Sequence, residues 1–289
     1  MKILLLGIFF VCLNTFTGSS FDAITKYLSI NNYKWYHYYS IGGTAAIILF
    51  ILLFFTNGEI KKHLTLKNKN HFYFLILRGI SFIPVLLIVF YSLKYIPISL
   101  FATLIMTSPF FLLIFAKIIL KEKLNYISWA AILIGFCGVL IVLRPSLSNI
   151  NIFIFLVFFA VLIISFNFTI VSKYSHIATS YGFTFYQYLP ITLFAYIFFI
   201  FDPLVPSLKE FILFSSAGVL MMISMWAWNK AYHIAGKYSS IISPFFFTQI
   251  IWGSLYGIIF FSEELRLMSI IGVIIIVISG TIAIYNQNK

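Results

Sequence analysis

Ten stretches of this chain are apolar on every side for roughly 20 residues: about 3–28, 34–56, 72–93, 98–119, 126–143, 151–172, 181–201, 210–233, 239–261 and 267–285. In lipid a backbone must satisfy its own N–H and C=O groups, so a spanning segment is either a helix or a strand of a closed barrel. Barrel strands alternate apolar and polar residues; these stretches do not. A helix of about 20 residues crosses the hydrocarbon layer, so the expectation is an all-α integral membrane protein with ten transmembrane helices. Only 9% of residues are charged, against about 25% in a soluble domain. That is too few to cover a water-exposed surface. The 35 Phe and 18 Tyr rise together with Ile, Lys and Asn, which reads as genomic bias for most of them. A few Trp and Tyr serve as interfacial anchors.

A repeat lies within this pattern. Residues Lys94–Leu143 and Gly236–Tyr285 overlay without a gap. Glu122 then meets Glu264 and Gly138 meets Gly280, both Glu-to-Gly intervals being 16 residues. The expected organisation is two five-helix repeats, 1–146 and 147–289. An odd number of spans per half inserts the second half upside down. The charges agree: the turn Lys121–Lys123 is net positive, while Glu263, Glu264 and Arg266 are net negative. With the N-terminus inside, 12 basic residues fall on the cytoplasmic side and 6 outside, Arg78 lying within a span. The positive-inside rule then places both termini in the cytoplasm, in the inner (plasma) membrane. Basic residues confined to short turns fit membrane orientation, and nucleic acid is not an expected partner.

The first 20 residues resemble a signal peptide, with Gly18, Ser19 and Ser20 as small residues. However, Lys2 is a weak basic flank and the helical pattern continues to Leu28, so an uncleaved first span is expected. Cys12 and Cys137 lie in apolar spans without ligand-like neighbours and are read as packed small residues. Pro84, Pro109, Pro190 and Pro244 fall inside spans, where they kink or break helices. Gly253 and Gly257 form a GxxxG face, and Gly42, Gly43 and Ala46 form another. Both serve close helix packing, within the chain or across a homodimer.

The landmarks Arg78-Gly79, Tyr91–Pro97, Ser108-Pro109, Glu122, Gly135, Gly138 and Arg144-Pro145 resemble the first half of the EamA-type family of the drug/metabolite transporter superfamily. Pro244-Phe245, Thr248-Gln249 and Trp252 resemble its second copy, and Asp22–Leu28 its first-span ending. The chain departs from the family near Tyr39, where an Arg is frequent, and at Gly236, where Pro is usual. The resemblance implies a secondary transporter working by alternating access, with the pathway between the halves. Its cargo would be a small organic metabolite, an amino acid or similar amphipathic solute first. S-adenosylmethionine, nucleosides and quaternary amines are also compatible. A lipid scramblase or a membrane interaction protein is the reading outside transport.

Polar groups in lipid mark function more often than elsewhere. Asn14, Thr17, Asn167, Gln187, Asn229 and Gln249 lie mid-span. An amide offers donors and an acceptor without charge, so these residues are candidates for orienting a solute or for helix–helix bonding. Tyr91 and Trp228 are candidate aromatic walls for cationic or ring-bearing solutes. Asp22 is the one acid away from the turns. It could couple to a proton or cation, or pair with Lys26 at i+4. Arg78 could bind an anionic group or snorkel to the cytoplasmic interface. No HExxH, Walker sequence or metal-ligand spacing is present. No enzyme activity, cofactor or metal is expected.

Overall fold

The computed structural model describes residues 2–56, 58–66, 68–121, 126–143, 151–263, 271–272, 274–275 and 278–279. All regular structure among them is helical: α1 (Lys2–Ile30), α2 (Trp35–Thr56), α3 (Ile60–Leu64), α4 (Lys69–Ile80), α5 (Phe82–Tyr95), α6 (Ile98–Ile105), α7 (Ser108–Phe115), α8 (Tyr126–Leu143), α9 (Ile152–Lys173), α10 (Ser180–Phe199), α11 (Leu208–Ala235), α12 (Ser239–Ile242) and α13 (Thr248–Phe261). Seven spans among the described residues are long and apolar enough to cross a membrane. The protein is therefore a multi-pass membrane protein. The tenth expected span, 267–285, lies almost wholly outside the described residues, as do the landmarks Glu122, Lys123, Arg144, Pro145, Glu264, Arg266 and Gly280.

Proline explains why several spans come in pieces. The third span breaks at Ser81, between α4 and α5. Pro84 lacks the N–H that would bond the carbonyl of Ile80, and Ser81 Oγ donates to Arg78 O at 2.6 Å. The fourth span breaks between Ile105 and Ser108, just ahead of Pro109. It resumes as α7 and runs through a π-helical turn, Ala116–Leu120, to a left-handed Lys121 at φ 57°. The ninth span starts as 3-10 helix at Gly236–Tyr238, continues as α12, and returns to 3-10 helix at Ser243–Phe247 around Pro244. Only then does it settle into α13, which ends at a left-handed Ser262 at φ 51°. Pro190 differs: α10 continues through it.

The bundle is built around α1 and α11, which pack along each other. Helix α2 lies against α11 and α10, α9 against α5 and α7, and α13 against α1 and α6. Glycine makes the closest of these approaches. A Cβ on Gly42 would meet the backbone carbonyl of Phe214, and one on Gly218 would meet that of Gly42. A Cβ on Gly253 would run into Ala102, and one on Gly257 into the carboxylate of Glu263. Both glycine faces expected from sequence are thus used within the chain.

The polarity of the bundle is inverted relative to a soluble protein. Phe55, Tyr73, Leu77, Ile197 and Ile259 point outward, while Asn14, Asp22, Lys26, Arg78, Asn167, Gln187, Asn229 and Gln249 are buried. In lipid this is the favoured arrangement, because polar groups find partners only inside.

Candidate functional site

Arg78 sits in the last turn of α4, where the adjoining break at Ser81 leaves the span irregular. Its guanidinium does not snorkel, contrary to one reading of the sequence. It turns into the bundle and is 5% exposed. Nη2 donates to Asn229 Oδ1 of α11 at 3.0 Å, and Nη1 to the carbonyl of Phe183 at 3.5 Å. Asn229 Nδ2 in turn donates to Thr184 Oγ1 at 3.0 Å and Gln187 Oε1 at 3.3 Å, both on α10. One polar seam therefore joins α4, α10 and α11. The rings of Phe82 and Phe183 lie 5.7 and 5.5 Å from the guanidinium carbon, a favourable setting for a buried cation. Among the described residues no carboxylate pairs with Arg78.

A second group adjoins this seam. Asn167 on α9 donates to Ser81 Oγ at 3.1 Å and to the carbonyl of Ile163 at 2.9 Å. Arg78, Ser81 and Asn167 together line a cavity of ≈ 570 Å³ between α4, α5, α7 and α9, which opens to the outer face of the bundle past the exposed Leu77, Leu162 and Phe166. Its other walls include Phe74, Phe115 and Phe166. Trp228, next to Asn229 in sequence, is 5% exposed. It stacks on Phe246 at 3.8 Å and on Tyr232 at 5.5 Å, and packs against Phe168. Its indole Nε1 is buried without a hydrogen-bond partner.

Asp22 and Gln249 form a separate pair. Gln249 Nε2 donates to Asp22 Oδ2 at 3.3 Å, joining α1 to α13. Near them, Thr15 and Thr248 hydroxyls meet at 2.6 Å. The expected Asp22–Lys26 pairing is not made. Lys26 instead binds Glu263 at 2.8 Å and donates to Ile96 O at 3.3 Å. Glu263 also accepts from the backbone N–H groups of Ile98 and Ser99 and from Ser99 Oγ. Burial pushes its carboxyl up, but the bonds from Lys26, Ser99 and Ile98 together hold it below the usual glutamate value.

The remaining candidates are placed differently. Asn14 donates to Ser224 O at 2.9 Å and Ser224 Oγ at 2.8 Å, binding α1 to α11. Thr17 bonds back to the carbonyls of Leu13 and Asn14 within its own helix. Tyr91 points outward and is 45% exposed. The structure thus brings Arg78, Gln187 and Asn229 into one network, with Asn167 and Trp228 beside it, and leaves Asp22 with Gln249. Sequence reasoning missed Thr184 and Ser81, whose small hydroxyls are common in membrane helices and carry no distinguishing signal. It also missed the Lys26–Glu263 link, which spans 237 positions. Among the described residues no three His, Cys, Asp or Glu side chains come together as a metal site.

Comparison with known proteins adds three findings. Residues 5–144 match the profile of the EamA-like transporter family. A protein of Vibrio cholerae serotype O1 named riboflavin transporter is 31% identical over 151 residues, 52% of this chain and 50% of that protein. The chain matches about half the length of that relative. A solved structure described only as "Crystal structure of protein" superimposes with a TM-score of 0.74, covering 99% of this chain and 98% of that one. At 13% identity that likeness is one of fold alone.

Proposed function

We propose, on the match of residues 5–144 to the EamA-like transporter family, that the chain is a secondary transporter, not an enzyme, for a small organic metabolite. The observation that carries this reading is the buried seam Arg78–Asn229–Thr184–Gln187. It consists of hydrogen-bonding groups drawn from three helices and held inside an apolar bundle beside a cavity. Such groups orient a solute without exposing it to lipid.

Two inverted five-helix repeats, 1–146 and 147–289, rock around this site in the inner (plasma) membrane, with both termini cytoplasmic. The gapless sequence overlay supports this, as does the common design of the fourth and ninth spans. Both are broken near the middle and end in a left-handed residue, Lys121 and Ser262. The overlay pairs Ser262 with Leu120, one position short of Lys121. The π turn at Ala116–Leu120 accommodates that extra residue.

The solute is a ring-bearing, hydrogen-bonding molecule. The stack of Trp228, Phe246 and Tyr232 next to the seam supports this class. So does the name of the Vibrio relative, whose riboflavin carries such rings. The test is uptake of radiolabelled solutes, riboflavin among them, into proteoliposomes holding the wild-type protein or Asn229→Ala. Saturable wild-type uptake, weakened in folded Asn229→Ala, is the expected result. Equal uptake in both would remove the seam from the site. Unsaturable flux of labelled lipid with no solute uptake would replace transport by scrambling.

A further inference from the structure

We infer that the cavity between α4, α5, α7 and α9 accepts a carboxylate: its ligand is an organic monoanion with an apolar or aromatic body, and Arg78 is the counter-charge. This deepens the transport reading and rests on it only for the claim that the ligand moves.

The charge of Arg78 is unbalanced. Arg78 is buried in the bundle and, among the described residues, has no acidic partner. Its Nη1 and Nη2 bond a backbone carbonyl and an amide oxygen. Its Nε is buried with no hydrogen-bond partner at all. A guanidinium is always charged and presents five donors in a planar fork. Leaving the Nε–H empty in a low-dielectric site is costly, and a buried charge is normally paired. The cavity is where the partner would sit. Arg78 lines it, and the other polar groups on its wall, Ser81 and Asn167, are neutral.

The chemistry of the ligand follows from these groups. One fixed positive charge balances one negative charge; a phosphate dianion would bring a second charge with no cation to meet it. A carboxylate takes two parallel N–H bonds from the edge of a guanidinium fork. Asn167 and Ser81 already bond each other, so they are held in place beside the incoming oxygens. The rest of the wall is apolar, with Phe74, Phe115, Phe166 and Leu162 among its residues. A ≈ 570 Å³ space with one polar corner suits an amphipathic molecule.

Phenylacetate and phenylacetamide are nearly isosteric and differ in charge, so they test this directly. Their binding to the full-length wild-type protein in detergent is measured by calorimetry, alongside Arg78→Gln and Asn167→Leu. Because hydrogen bonds to a charged group are stronger than neutral ones, the acid should bind about 10- to 100-fold more tightly than the amide. Arg78→Gln should erase that preference. Should Arg78→Gln fail to fold, the wild-type acid-to-amide ratio and Asn167→Leu, which should weaken the acid severalfold, still decide. Equal binding of acid and amide, or undiminished acid preference in folded Arg78→Gln, overturns the proposal. Saturable solute uptake with no acid preference overturns the anion site and leaves the transporter reading standing. Acid-selective binding without any uptake does the reverse.

Discussion

Replacing Glu263 by Gln should destabilise the protein by about 3–5 kcal/mol, the range for breaking a buried ion pair by removing one partner. The side chains of Lys26 and Glu263 are 9% and 14% exposed, so water screens the pair little. After the change Lys26 keeps its charge but retains only the carbonyl of Ile96, at 3.3 Å, and the ring face of Phe261. Glu263 also serves as a remote cap for α6: it accepts from the N–H groups of Ile98 and Ser99, where Pro97 at the N-cap supplies no side chain for the purpose. Loss of a cap alone costs about 1 kcal/mol. The two terms overlap, since a Gln oxygen can still accept one of these bonds, so the ion-pair figure sets the scale. Lys26→Met should cost about the same, because it strands the carboxylate. The double variant Lys26→Met with Glu263→Leu should lose far less than the sum, keeping mainly the cap penalty. Reversible unfolding in mixed micelles, followed by circular dichroism, measures all three variants. Single variants within about 0.5 kcal/mol of wild type, or strictly additive losses in the double, would refute the reasoning.

Other consequences can be measured independently. Because bonding holds the Glu263 carboxyl below its ordinary value, its contribution is fully present above the unfolded-state glutamate value and lost as pH falls through the lower folded value. Wild-type stability should therefore drop in acid more steeply than that of Glu263→Gln, as thermal unfolding across a pH series will show. Gly218→Ala places a methyl against the backbone carbonyl of Gly42, and should cost about 1–3 kcal/mol as the two helices part. A folded variant at wild-type stability would disprove the close approach. Asn14→Ala removes two bonds between α1 and α11, worth less than about 2 kcal/mol in a membrane bundle. It should lower the melting temperature while leaving the affinity of the remaining folded protein for phenylacetate unchanged. Asn229→Asp puts a carboxylate at the Arg78 Nη2 contact, and should abolish the preference for phenylacetate over its amide while the fold is kept. Calorimetry of the variant is the check.

Much of the architecture could be read from residues alone. All four in-span prolines read as points that kink or break a helix; Pro84, Pro109 and Pro244 fall at interruptions of helix, because a missing N–H acts on its own turn whatever surrounds it. Pro190 did not break α10, which packs against α2, α4 and α11; that support comes from the fold. The candidate polar residues were legible as a set, since lipid makes every mid-span amide or charge conspicuous. Their grouping was not. Arg78, Asn229 and Gln187 meet across 151 and 42 positions, distances over which periodicity carries no information.

What the sequence determined by itself was the class of structure: apolar runs near 20 residues, with a backbone that must bond internally, admit helices crossing a bilayer. Partnership was left to the tertiary structure. Lys26 had a local candidate at i−4, Asp22, yet its ammonium binds Glu263 from another helix end, and Asp22 binds Gln249 instead. The physical reason is that helical spacing brings side chains near one another, but inside a low-dielectric bundle a charge goes to whichever partner can desolvate with it. Only the packing of α1 against α13 and α6 decides which one that is.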